Sequence, residues 1–130
     1  NETRSPTIVP TLRRPNAVST ILIVDDLRVN LELLEARLEG EGFETISASN
    51  GVEALEILRS HKVDLIISDI LMPKMDGYAL CRECKTDERL RRIPFIFYTA
   101  TYTDKKDEAF ALSLGAEKFV IKSVNTEVMR

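Results

Sequence analysis

Short apolar runs alternate with longer amphipathic stretches along this chain. Thr20 to Val24 is an apolar run that stops at Asp25-Asp26, which predicts a strand. Leu27, Leu31, Leu34 and Leu38 then recur at helical spacing, until Gly40 and Gly42 end the pattern. Phe43 to Ala48 alternates and predicts a second strand. Asn50 and Gly51 open a short helix, with Val52, Leu55 and Leu58 expected inward. Val63 to Ser68 predicts a third strand, apolar enough to be buried on both faces, which ends at Asp69. Ile70 to Met75 is a loop, because Pro73 bars a helix, and Asp76 is a good N-cap for a helix through Cys84. Pro94 to Tyr98 predicts a fourth strand ending at Thr99. Asp104 is expected to cap a helix with Ala109, Leu112 and Ala116 on one side, closed by Gly115. Lys118 to Ile121 predicts a fifth strand ending at Lys122. Residues 1–19 hold three prolines and no period, so they read as a linker, a tail or an expression remnant, with the domain over 20–130.

Strands alternating with helices at this spacing imply βαβ units, hence an α/β fold with a doubly wound parallel sheet of five strands. Ligands of such sheets bind outside the carboxyl ends of the strands, where the strand order reverses. For order 2-1-3-4-5 that point lies between strands 1 and 3, where Asp25, Asp26 and Asp69 would meet. Three carboxylates packed together repel one another, and a hard divalent cation relieves the repulsion. Mg²⁺ is satisfied by a few oxygen ligands and several waters, which leaves one carboxylate free to attack phosphorus. The Lys122 ammonium can meet the charge of the transferring group, and the Thr99 hydroxyl can bond a phosphoryl oxygen. Taken singly, each of these residues reads as an ordinary turn or cap. Together, aligned on one sheet edge, they supply every part of an aspartyl-phosphate site.

Composition narrows the field. The chain has 130 residues and a net charge of -3, with 44% hydrophobic and 30% charged residues, the balance of one globular domain. Mild acidity gives no electrostatic footprint for nucleic acid. No apolar run approaches the ~20 residues of a membrane span, and no charged-then-apolar leader opens the chain. A cytoplasmic location is expected. His61 is the single histidine and there is no Trp, so most metal sites and histidine triads are excluded. Cys81 and Cys84 form a Cys-x-x-Cys in a helical pattern, and read as two reduced thiols on a partly buried helix rather than a redox pair or half of a zinc site.

The segments ILIVDD (21–26), SDILMPKMDG (68–77), FYTAT (97–101) and FVIK (119–122), with the spacings between them, resemble the receiver domain of two-component response regulators. The resemblance covers about 20–125 and implies a flavodoxin-like fold with strand order 2-1-3-4-5. It also implies that Asp69 takes a phosphoryl group from a phosphohistidine on a sensor histidine kinase or phosphotransfer protein. Asp25 and Asp26 would hold Mg²⁺ with Asp69 and the backbone carbonyl of Leu71. Thr99 and Lys122 would bind the phosphoryl group, and Thr99 and Phe119 would form the switch. Such a domain catalyses only its own phosphorylation and dephosphorylation. It signals to an output domain in its parent chain or to a separate target.

The chain departs from the family pattern in two places. Lys122-Ser123 stands where the family commonly has Lys-Pro. A fifth helix would start near Asn125, yet five residues follow it, so a truncated helix is expected. The bare side over strands 4 and 5 would then favour a homodimer, in a parent chain continuing past Arg130. No contact with nucleic acid or membrane is expected. Two rival readings stand beside this one. A phosphatase of the haloacid-dehalogenase type also uses an Asp after its first strand, but in an Asp-x-Asp pattern, whereas position 27 here is Leu. A flavin-binding module or degenerate receiver is the other; its flavin loop would be rich in Ser, Thr and Gly, and this one is Asp-Asp-Leu-Arg.

Overall fold

The computed structural model describes residues 19–99 and 105–122. Nine elements alternate: β1 (Thr20–Val24), α1 (Arg28–Gly40), β2 (Glu44–Ala48), α2 (Gly51–Ser60), β3 (Leu65–Ser68), α3 (Gly77–Thr86), β4 (Phe95–Thr99), α4 (Lys105–Ser113) and β5 (Lys118–Ile121). The strands form one parallel sheet in the order β2-β1-β3-β4-β5. The expected fold class and strand order are therefore present. The expected helix from Asn125, the Asp104 cap and the tail before Ser19 lie outside the described residues.

Alternation along the strands splits the core into two layers. Leu22, Val24, Ile66, Phe95 and Phe97 face α2, α3 and α4, in a cluster that includes Ala54, Leu58, Leu80 and Ala111. Ile21, Ile23, Leu65, Ile67 and Ile96 face the other way, against Leu31, Leu34 and Leu38 of α1. Every residue of β3 is buried, as its continuous apolar run requires. Each fully buried Leu, Ile or Phe contributes ~1.5–3 kcal/mol, and β1, β3 and β4 hold most of the largest fully buried side chains.

Local chemistry sets the element ends. The Asn50 side chain accepts from the Glu53 N–H at 2.9 Å, and the Asp76 side chain accepts from the Ala79 N–H at 2.9 Å. Both are N-caps, and Asp76 is the one expected. Gly42 and Gly115 follow α1 and α4 with φ of +97° and +108°, a left-handed turn that glycine adopts without strain.

Three helix faces differ from expectation. Leu27 is 54% exposed, because it is the extended N-cap residue of α1 and does not share the helical phase. In α2, Val52 is 41% exposed, while Gly51 and Ala54 join Leu58 on the buried face. In α4, Ala109 and Leu112 face solvent, and Ala111 is fully buried instead. In both helices a small residue lies at the contact, which lets the helix axis approach the sheet closely. Cys81 and Cys84 are free and fully buried on α3. Burial pushes their thiols up to about 11 and about 12.

Candidate functional site

The carboxyl ends of β1 and β3 neighbour each other, since Val24 pairs with Ser68. The next residues along, Asp25 and Asp69, therefore emerge side by side. The Asp69 N–H donates to the Val24 carbonyl at 2.9 Å, and the Asp25 N–H to the Ala48 carbonyl at 3.1 Å, which extends the sheet by one residue beneath the site. Asp25, Asp26 and Asp69 each offer a carboxylate oxygen, and these oxygens lie within 4.8 Å of one another. Asp25 is buried, Asp26 exposed and Asp69 half-buried.

Their environments assign them different work. Oδ1 of Asp25 accepts the Leu27 N–H at 2.9 Å, the turn that starts α1. Its Oδ2 accepts from Asn30 Nδ2 at 3.1 Å and from Lys122 Nζ at 3.0 Å. Asp25 is thus an anchored anion, well supplied with donors. Oδ1 of Asp69 accepts the N–H of Ile70 at 2.7 Å. That bond fixes the rotamer of Asp69 at the pocket mouth. The donor set is all oxygen and closely spaced, which suits a hard cation such as Mg²⁺.

Lys122 and Thr99 arrive from neighbouring strands. The Lys122 N–H donates to the Thr99 carbonyl at 2.7 Å, tying the end of β5 to β4. Thr99 is fully buried at the end of β4. Phe119 is half-buried on β5 and packs on Phe97, with ring centroids 6.2 Å apart. Phe97 in turn meets Tyr78 of α3 at 5.4 Å, and Tyr78 meets Phe110 of α4 at 4.9 Å. Burial, with Asp107 and Asp76 nearby, pushes the Tyr78 hydroxyl above its usual range. Leu71 lies on the loop after Asp69 with its side chain exposed.

Sequence reasoning missed three contributors. Asn30 bonds Asp25 from the first turn of α1. Gly77 lies directly under the loop that carries Asp69. Tyr98 has its ring 5.3 Å from the Lys122 ammonium. The apolar run of β4 hides Tyr98 as a core residue; the signal for it is strand parity with Lys122.

Comparison with known proteins agrees with this arrangement. The family model for the response regulator receiver domain matches residues 21–130. The chain is 37% identical over 106 residues to the polar-differentiation response regulator DivK of Brucella anthropi, covering 82% of this chain and 85% of DivK. It is 43% identical over 102 residues to the probable transcriptional regulator ycf27 of Cyanidium caldarium, covering 78% of this chain but 39% of that relative. Among solved structures, the signal receiver domain of a signal transduction histidine kinase from Syntrophus aciditrophicus is 44% identical, with a TM-score of 0.74, covering 81% of this chain and 79% of that one. The response regulator TrrA of Thermotoga maritima, solved in complex with Mg²⁺ and BeF, is 34% identical with a TM-score of 0.73, covering 85% and 91%. The parallel sheet with an acidic cluster at its carboxyl edge agrees with a receiver domain of two-component systems. The chain belongs to the response regulator receiver domain family. No helix among the described residues is long and apolar enough to cross a membrane.

Proposed function

We propose that residues 20–130 form a phosphoacceptor domain in which Asp69 takes a phosphoryl group from a phosphohistidine. The donor would be a sensor histidine kinase or phosphotransfer protein in the cytoplasm. One observation carries this reading: Asp25, Asp26 and Asp69 converge within 4.8 Å beside the Lys122 ammonium. An Asp69 oxygen attacks phosphorus, the P–N bond of the donor breaks, and the imidazole leaves with the electron pair and takes up a proton. Asp25, Asp26 and the Leu71 carbonyl, with Asp69, would hold Mg²⁺, which when bound neutralises charge on the transferring oxygens. Lys122 meets the same charge from the β5 side. The Thr99 hydroxyl bonds a phosphoryl oxygen once transfer is complete.

The output follows from contacts that differ between the two states. Movement of Thr99 toward the phosphoryl group opens room for Phe119. Phe119 leans on Phe97, Phe97 meets Tyr78 and Tyr78 meets Phe110, so its movement is felt on α3 and α4. An output domain in the parent chain or a separate target would read that change.

Acetyl phosphate and Mg²⁺ test the reading, with phosphorylation followed by intact mass. The wild-type chain should gain one phosphoryl group and Asp69→Asn should gain none. An equal yield on Asp69→Asn would overturn the assignment. Transfer to Asp25 instead would favour the phosphatase-like reading.

A further inference from the structure

Lys122 is a flexible side chain asked to hold a charge at one point. Its ammonium is a compact charge on a four-carbon stem, and unrestrained it would seek water. Here the side chain is only 13% exposed, and two groups hold the ammonium from different directions. Asp25 Oδ2 is 3.0 Å away, and the Tyr98 ring lies below with its centroid at 5.3 Å.

The sheet creates this second contact. Tyr98 of β4 is paired with Val120 of β5. Lys122 comes two residues after Val120, so strand parity puts it on the same face. That face carries the α1 layer, where Tyr98 and Val120 pack against the cluster containing Ile96. The backbone bond from Lys122 N–H to the Thr99 carbonyl, at 2.7 Å, fixes the point where the stem departs. Asp25, Asn30, Asp69, Tyr98 and Lys122 then line one recess at the carboxyl edge.

The two holding groups differ in kind. Asp25 is also a proposed cation ligand, and a carboxylate that is shared attracts the ammonium less. The Tyr98 ring attracts a cation through its π face, whatever else Asp25 bonds. Resting on the function proposed above, we infer that Tyr98 is a positioning residue, whose ring face keeps the Lys122 ammonium beside Asp69 during phosphoryl transfer. The competing account makes Tyr98 an apolar filler beside Val120. Ring identity, and dependence on Lys122, separate the two.

Acetyl phosphate serves as donor. An Asp69 oxygen bonds to phosphorus, the bridging P–O bond breaks, and acetate leaves with the electron pair. Tyr98→Leu, which removes the ring, should slow this step roughly 3- to 30-fold, the span of measured cation–π strengths. Tyr98→Phe keeps the π face and should restore the rate. In a Lys122→Ala background, Tyr98→Leu should slow the step no further. The same cycle read by thermal unfolding without Mg²⁺ should show the two substitutions coupled, with the double variant less destabilised than the sum. Equal slowing by Tyr98→Leu with and without Lys122 would overturn the proposal, as would Tyr98→Phe as slow as Tyr98→Leu. Additive melting shifts would also overturn it. If Lys122→Ala is slow and Tyr98→Leu is not, only the role of Tyr98 fails. If Lys122→Ala transfers at the wild-type rate, the functional role of Lys122 fails as well.

Discussion

Gly77 sits against the backbone of Asp69. A Cβ built on Gly77 would stand 2.1 Å from the Asp69 carbonyl oxygen and 3.0 Å from the Ile70 Cα. The Gly77 N–H also donates to the Ile70 carbonyl at 2.7 Å. The first residue of α3 is thus in direct contact with the loop that carries the proposed phosphoacceptor. Backbone cannot swing aside as a side chain can, so Gly77→Ala must displace that loop. It should cost about 3 kcal/mol, the upper range for overpacking, and should slow phosphorylation of Asp69 at the same time. Urea unfolding and acetyl phosphate kinetics on one preparation check both. A variant of full stability and full rate would show that the contact is slack.

The strand ends are legible in the chain because each apolar run stops at a group with chemistry. Val24 gives way to Asp25, Ser68 to Asp69 and Ile121 to Lys122. Order 2-1-3-4-5 then brings them together, so the acidic cluster follows from topology. Helix faces are less legible. Ala54 and Ala111 carry weak hydrophobic signals, yet they are the fully buried contacts of α2 and α4. Val52 and Leu112 are more apolar and point to water. Tyr98 is signalled only by strand parity with Lys122, and the contact of Gly77 with the Asp69 carbonyl is an approach across the chain that no spacing along it encodes.

Lys122 bonds Oδ2 of Asp25, a carboxylate that would also help to hold the proposed cation. Removing the ammonium removes both a competitor and a like charge. Lys122→Ala should bind Mg²⁺ roughly 3- to 10-fold more tightly, equivalent to ~0.7–1.4 kcal/mol, while transferring phosphate more slowly. Calorimetric titration with MgCl₂ measures the first effect. Weaker binding by the variant would mean that Lys122 holds Asp25 in place for the metal rather than competing for it.

Lys85 belongs to the opposite edge of the sheet. Its Nζ donates to the carbonyls of Arg91 at 3.1 Å and Ile93 at 2.9 Å, and pairs with Glu117 at 3.3 Å. Glu117 also accepts the Phe95 N–H at 2.6 Å, so one ion pair ties α3 to the starts of β4 and β5. Lys85→Met keeps the stem but leaves those acceptors without their donor, at a cost of about 1–3 kcal/mol. The melting temperature should fall by several degrees. Acetyl phosphate labelling of Asp69 should proceed as in wild type, because the site lies at the other ends of the strands. A slowed label with an unchanged melting temperature would contradict this division.

Cys81 and Cys84 give a stability signature at alkaline pH. Burial raises the folded thiols from 9.0 to about 11 and about 12. The folded chain therefore keeps protons that the unfolded chain releases. Where the native state binds more protons, stability falls as pH rises. The contribution is whole below about pH 9 and declines across the interval from there to about pH 12. The thiol share is read as a difference between two proteins. A Cys81→Ala/Cys84→Ala variant should start less stable, and its stability should fall less steeply above pH 9. The thiols themselves should resist Ellman's reagent at pH 8, because only a thiolate attacks and burial suppresses it. Both should react once the chain is unfolded in guanidinium. Rapid reaction of the native protein would mean that α3 opens locally from the sheet, and that burial does not protect the pair.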